Sequence, residues 1–524
     1  MTGTTVGRDR PGITSPSLVP LRSPQGAALI AATVLASLIG FLDASVVNVA
    51  VPAIGRSLHA SVTALQWTLT SYLLAVAALL LLSGALADHF GRRKVLAAGL
   101  LVMLVGSILC AAAPSISTLI AARVLQGIGG ALVVPSSLAL LNGTLRPGDR
   151  SRGIGIWAGL ATLGTTVGPY AGGWLTEHDS WRALFLLNPP LILAGLIVLW
   201  FVPQTDLGGR PLSLDIWGAM LAVGGLGGVI YALTAGPASG WLSGPVLAAA
   251  IIGIVGLAGL VPAERRRRAP MLRLSLFASR QFDAINIMTV LLCGALYAVG
   301  YMVILQCELR LGYSATQAGA ALIPESAVFL AVSPVSGMLV RRVGPRWLMV
   351  AGLLIVAAGF GWLSAARPGQ GYAAAVLPGA LLWGLGTGIC VTPLTAAVLA
   401  AVGDADLGEA SAINDATARV GGVVVIALVP ALIGATGGRS ISQALAHGYQ
   451  PAMLVMAGLC IAAAVVTGLF VSDSRPAAPA PASSPRIHSC PLPTPEIMTA
   501  APTTADHGAA VVGDVQVMLD GGTP

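Results

Sequence analysis

The chain has 524 residues, of which 56% are apolar and only 9% charged, and its mean hydropathy is +0.85. So little charge cannot solvate a soluble protein of this length, and the net charge of +7 is too thinly spread to mark a nucleic-acid surface. The apolar runs are continuous and of helical length rather than alternating, which excludes a β-barrel and predicts an all-α polytopic membrane protein.

The first 25 residues are polar and contain Pro, Gly and Ser, so they read as a tail. Fourteen apolar segments follow, at 27–52, 64–85, 95–113, 116–141, 153–175, 183–203, 216–235, 243–262, 284–307, 316–340, 347–366, 372–401, 411–436 and 451–471. Each approaches the ~20 residues a helix needs to cross a ~30 Å hydrocarbon core. The first is too long, and too interrupted by Asp43, for a cleaved signal peptide.

Between the second and third segments, GALADHFGRRKVL (84–96) crowds Asp88, His89, Arg92, Arg93 and Lys94 into seven positions. Asp88 stands just before a new helix, where a carboxylate favours the positive N-terminal dipole, and Gly84 and Gly91 permit close backbone approach. The fourth segment carries Arg123 and Gln126. In the fifth, Gly164, Gly168 and Gly172 recur every four residues along one helix face, next to Gly173 and to Pro169, which bends the helix. General packing through small residues is a second reading of that face.

A second loop, GMLVRRVGPRWLM (337–349), matches the first at an offset of 253, with Gly84 on Gly337, Gly91 on Gly344 and Arg93 on Arg346. The match is displaced by eight helices, which predicts two six-helix halves with two helices inserted between them, the build of many secondary transporters. The expected divisions are a tail at 1–25, a first half at 26–203, an inserted pair with its linker at 204–283, a second half at 284–472 and a disordered tail at 473–524. The run ERRRRAP (264–270) reads as a topology anchor, with anionic lipid contact as the second reading. GLGTG (384–388) lies inside an apolar segment and reads as helix packing rather than a nucleotide loop.

Loops after even-numbered segments carry 16 of the 28 basic residues and loops after odd-numbered ones carry five, so the even loops and both termini are expected to be cytoplasmic. Lys94 is the only lysine and follows Arg93, so no GxxxxGK[ST] phosphate loop exists and ATP is not a partner by that route. The six cysteines have no metal-ligand or disulfide spacing, HExxH and GxSxG motifs are missing, and no metal, cofactor or enzymatic centre is expected.

Asp43 and Glu325 fall deep inside segments, with Arg123 as their basic counterpart. An ionised group there costs at least about 2.5 kcal/mol and is a functional candidate by default. Desolvation raises a carboxyl pKa and a nearby arginine lowers it, so a carboxyl whose partner moves can take and release a proton. Asp43, Arg123 and Glu325 are therefore candidates for proton coupling. A structural ion pair is the alternative for the first two, and a neutral acid bonded to a neighbouring helix for the third. Glu308, Asp415 and Arg419 lie near segment ends and read as structural. Trp67, Tyr72, Tyr170 and Tyr301, with Gln126, are candidate cavity residues, although an interfacial aromatic belt ranks first for the rings.

Together these stretches resemble the major facilitator superfamily, and within it the fourteen-helix drug:proton antiporter branch. FLDASVVNVAVP (41–52) resembles the branch's first-helix motif at Asp43, Asn48 and Pro52, and the 84–96 loop the superfamily's signature loop. LIAARVLQGIGGA (119–131) resembles the fourth-helix motif and GTTVGPYAGG (164–173) the antiporter motif; WRALFLLNPP (181–190) and ASAINDATARVGG (410–422) are also similar to the branch. The resemblance covers roughly residues 26 to 472. It implies a major facilitator fold and a proton-coupled antiporter in the cell membrane that exports small hydrophobic or cationic organic compounds by alternating access. The implied partners are a small-molecule substrate, protons and the lipid bilayer. It further implies that the first loop latches the halves together on the cytoplasmic side when the cavity faces out, with Arg92 and Arg93 as charge partners. A dedicated exporter of one natural product is the alternative, and a non-transporting sensor or scaffold stands behind both.

Overall fold

A computed structural model describes residues 18–203, 216–266, 274–402, 407–435 and 440–473. The tail beyond 473 and parts of the expected linker therefore lie outside the described residues. The helices are α1 (Pro24–Leu58), α2 (Val62–Phe90), α3 (Arg92–Ala111), α4 (Ile116–Thr144), α5 (Arg150–His178), α6 (Ala183–Leu186), α7 (Asn188–Trp200), α8 (Ile216–Ser239) and α9 (Gly244–Arg266). They continue with α10 (Arg280–Leu309), α11 (Ala315–Ala320), α12 (Ile323–Val343), α13 (Pro345–Leu363), α14 (Tyr372–Ala375), α15 (Leu377–Ala400), α16 (Leu407–Leu432) and α17 (Ile441–Phe470).

Thirteen spans among the described residues are long and apolar enough to cross a membrane. The fourteenth is α5, whose 29 residues are ample in length but glycine-rich and less apolar. Serine caps begin many of these helices: Ser23, Ser61, Ser115, Ser279, Ser314 and Ser440 each accept a backbone N–H of the first turn, the last two in full capping boxes.

Three segments expected to be single helices are broken, the sixth at Leu187, the tenth at Ala321 and Leu322, and the twelfth at Val376. In each case proline opens the helix that follows, because a residue without an N–H suits a first helical turn better than an interior.

The predicted repeat is visible in the backbone. Gly91 ends α2 and begins α3 with φ 94°, and Gly344 does the same for α12 and α13 with φ 92°, a left-handed conformation that favours glycine. The matching arginines then do the same task in each half. Arg93 donates to the carbonyls of Trp200 and Val202 at the end of α7, at 3.1 and 2.7 Å. Arg346 donates to the Gly468 carbonyl near the end of α17. Both guanidinium groups satisfy carbonyls that a helix C-terminus leaves without partners.

Helices α1–α7 pack together, as do α10–α17, while α8 and α9 form a hairpin set against α2 and α16. The halves meet through α5 against α11 and through α2 against α16. One continuous core joins the second half to the first at the end opposite the basic loops, through Val47, Ile54, Leu65, Leu119 and Phe185. Toward the basic loops the first half keeps a separate core around Leu29, Leu96, Leu140 and Leu199.

Candidate functional site

Two polar sites lie side by side in this bundle. The first is sealed. Arg123 of α4 donates to Asp43 Oδ2 of α1, and both side chains are fully buried. Around the pair, Arg123 also donates to Gln126 Oε1 at 2.9 Å and to the Thr68 carbonyl at 3.2 Å. Asp43 Oδ1 accepts from Asn188 Nδ2 at 2.8 Å and from Gln126 Nε2 at 3.2 Å. Ser107 of α3 accepts from both amides, at 2.8 and 3.2 Å. A buried ion pair survives when further hydrogen bonds satisfy its remaining atoms, and this network does so with side chains from α1, α3, α4 and α7.

The second site is a cavity of about 330 Å³ between the halves, within the range of small-molecule pockets. The first half contributes Phe41, Asn48, Tyr72 and Pro169, and the second contributes Tyr297, Glu325, Phe329, Trp383 and Arg419. Tyr72 stands between the two sites. Its ring lies 4.3 Å from the Arg123 guanidinium carbon, its hydroxyl donates to the Gly40 carbonyl at 3.0 Å, and it lines the cavity. Asp43, Arg123 and Gln126 do not line that cavity.

The expected face of α5 is real and has two sides. A methyl group on Gly164 would come within 2.6 Å of the Leu38 carbonyl oxygen, one on Gly168 would meet the Ser45 hydroxyl, and one on Gly172 would lie 3.0 Å from the Val46 carbonyl oxygen. All three face α1. Gly173 and Pro169 instead face the other half: Gly173 lies against the Ala315 carbonyl, and the Pro169 carbonyl lies against Gly319. Beyond them Glu177 Oε2 accepts the Thr316 N–H at 3.2 Å. These contacts close the cavity at the end opposite the basic loops.

Several expectations change in detail. Trp67 packs on Tyr231 of the inserted hairpin, Tyr301 is buried in the core, and Tyr170 is 44% exposed; of the candidate cavity residues only Tyr72 reaches the cavity. Glu325 sits in the first turn of α12, and its carboxylate accepts from Ser326 at 2.9 Å rather than bonding to a neighbouring helix. Gly84 has open space where a side chain would be, so no close approach depends on it. Arg92 donates to the Ala139 carbonyl at 3.0 Å and Arg93 to the end of α7, both within their own half. The side chains of Asp88 and of its counterpart Arg341 lie outside the described residues.

Sequence reasoning missed two residues. Asn188 completes the Asp43 shell; an asparagine before two prolines in an apolar run was the available signal. Arg419 lines the cavity, and because α16 already includes Leu407, four residues before the expected boundary, it lies mid-helix instead of near an end.

A helical membrane bundle of two like halves enclosing a central cavity, shut at one end, is the build of a secondary transporter. Known proteins agree. The sequence matches the Major Facilitator Superfamily over residues 33–215, 209–425 and 285–505. It is 34% identical to the puromycin resistance protein of Streptomyces alboniger, over 84% of this chain and 90% of that one. It is 35% identical to a multidrug resistance protein of Mycobacterium tuberculosis, over 75% and 73%. It is 31% identical to the tetracenomycin C resistance and export protein of Streptomyces glaucescens, over 78% and 76%. The fold is shared with a crystallised POT peptide transporter (TM-score 0.65, 16% identity, 86% of this chain and 96% of that one). It is also shared with a D-xylose–proton symporter (TM-score 0.62, 16% identity, 85% and 98%). The chain belongs to the Major Facilitator Superfamily.

Proposed function

We propose that this protein exports small organic compounds from the cytoplasm by proton-coupled alternating access, with the cavity as the substrate site. The observation that carries the reading is the pairing of a central cavity, whose only acidic lining residue among the described residues is Glu325, with a separate buried Asp43–Arg123 network. The positive-inside distribution puts the basic loops and both termini in the cytoplasm of a cell-membrane protein. The seal at the opposite end then makes the present arrangement the state closed to the exterior.

Asp43 and Arg123 serve coupling because they form a buried ion pair whose surrounding hydrogen bonds come from several helices, so that helix movement would change the partners of the carboxylate. Each pH unit contributes about 1.4 kcal/mol per proton and each 100 mV about 2.3 kcal/mol per charge, enough to drive severalfold to hundredfold gradients. Gly84, Asp88, Gly91, Arg92 and Arg93 form the cytoplasmic gate loop, whose latching belongs to the opposite, outward-facing state. Within the antiporter motif, Pro169 and Gly173 contribute to the exterior seal, while Gly164, Gly168 and Gly172 pack α5 against α1.

Relatives named for resistance to puromycin and export of tetracenomycin C favour a second reading, a pump dedicated to one natural product. Susceptibility profiling of an efflux-deficient host with and without the gene separates the two. Resistance to several unrelated compounds, lost when an ionophore collapses the proton gradient, supports the broad exporter. Resistance confined to one compound supports the dedicated pump, and unchanged susceptibility to all overturns both.

A further inference from the structure

The cavity is lined by two unlike ionisable side chains, Arg419 and Glu325, with no bond between them among the described residues. Arg419 reaches it from α16, its side chain only 10% exposed, and its guanidinium bonds Asp415 through Nε alone, at 3.3 Å. The two terminal amino groups have no acceptor among the described residues. Asp415, whose carboxylate balances Arg419, is half exposed and is not among the residues lining the cavity. Glu325 reaches the same cavity from α12 and accepts from the hydroxyl of Ser326 beside it, its second oxygen having no hydrogen-bond partner among the described residues.

A guanidinium offers its terminal donors as a planar fork suited to carboxylates and other oxyanions. A carboxylate held in an apolar pocket suits an ammonium. Aromatic walls from Tyr297, Phe329 and Trp383 suit a flat ring system with one polar group at each side.

We propose that the preferred substrates are amphoteric aromatic compounds, with an anionic group recognised by Arg419 and a cationic group by Glu325. The proposal rests on the exporter reading and narrows it, since a site for lipophilic cations alone has no use for a fixed cation in its wall.

The test uses full-length protein in proteoliposomes with an imposed pH gradient and one fluorescent tricyclic scaffold in three forms: the amino acid with free amine and carboxylate, its methyl ester, and its N-acetyl derivative. Wild-type protein should transport the amphoteric form about tenfold more efficiently than either blocked form, the scale of one charge-assisted hydrogen bond. Arg419→Gln should erase the preference over the ester, Glu325→Gln the preference over the N-acetyl form, and Arg419→Lys should restore part of the first. Thermal stabilisation of detergent-solubilised protein by each compound should follow the same order, which separates lost binding from lost folding. Equal handling of the three forms by wild type, or preferences untouched by either substitution, overturns the proposal. If none of the three moves while a simple lipophilic cation does, the substrate class is wrong and the exporter reading survives. If nothing moves with the gradient, both fall.

Discussion

Gly173 offers the sharpest test of how the cavity is closed. Its missing side chain lets α5 rest on the first turn of α11: a methyl group there would collide with the Ala315 carbonyl oxygen and lie 2.6 Å from the carbonyl carbon and 2.8 Å from Thr316 Cα. These are backbone atoms of the other half, so no flexible side chain can swing away. Extra methylenes in a well-packed interior typically cost about 1–3 kcal/mol. The clash exists only when the halves are pressed together at this end, so the penalty falls on the sealed state and spares the open one. Gly173→Ala should therefore shift the balance away from the sealed state by about 5- to 150-fold. The assay is labelling of Asn48→Cys, a cavity-lining position on α1, by a membrane-impermeant thiol reagent added on the side opposite the basic loops. Cys293 and Cys490 would be replaced by serine in this background. Labelling should rise at least about fivefold in Gly173→Ala, with slower export. Equal labelling and equal export would refute the idea that this glycine sets the closure.

The sealed network yields further expectations. Asp43→Asn should stay inserted and folded yet lose gradient-driven export in proteoliposomes, because the amide keeps the shape and cannot titrate. Arg123→Ala should lower stability by about 3–5 kcal/mol, since it strands a buried carboxylate, and a much reduced thermal midpoint in detergent would register it. Asn188→Ala removes the 2.8 Å donor to Asp43 and should lower stability by about 1.5–3 kcal/mol, read in the same scan. Arg93→Ala and Arg346→Ala should each loosen the end of the last helix of their half, giving faster hydrogen exchange near residues 198–202 and 466–470 respectively; an effect in only one half would show that the repeat is not functional in its staples.

Much of this was legible because membrane burial writes strong signals into sequence. Uncharged runs of helical length gave the spans, and a polar residue as costly as Asp43 or Arg123 inside such a run announces a partner even before the partner is located. The loop echo gave the repeat because a left-handed turn favours glycine at Gly91 and Gly344 and the next helix needs its arginine. The cavity lining was harder to read. Trp67, Tyr301 and Tyr72 look alike as aromatic residues in apolar helices, and only the rotation of each helix, fixed by packing on several neighbours, decides which ring meets the cavity. Arg419 was misjudged for a smaller reason, a boundary drawn where hydropathy rises, although α16 begins four residues earlier in polar sequence.

In the proposed mechanism Tyr72 separates substrate binding from proton coupling. With its ring against Arg123 and its place in the cavity lining, it stands between the proposed substrate chamber and the buried ion-pair network. Substitutions among the second-half residues of the cavity can therefore change what fits without disturbing the hydrogen bonds around Asp43. A lineage built on this plan can diversify its cargo quickly, one lining residue at a time, while inheriting its energy conversion intact.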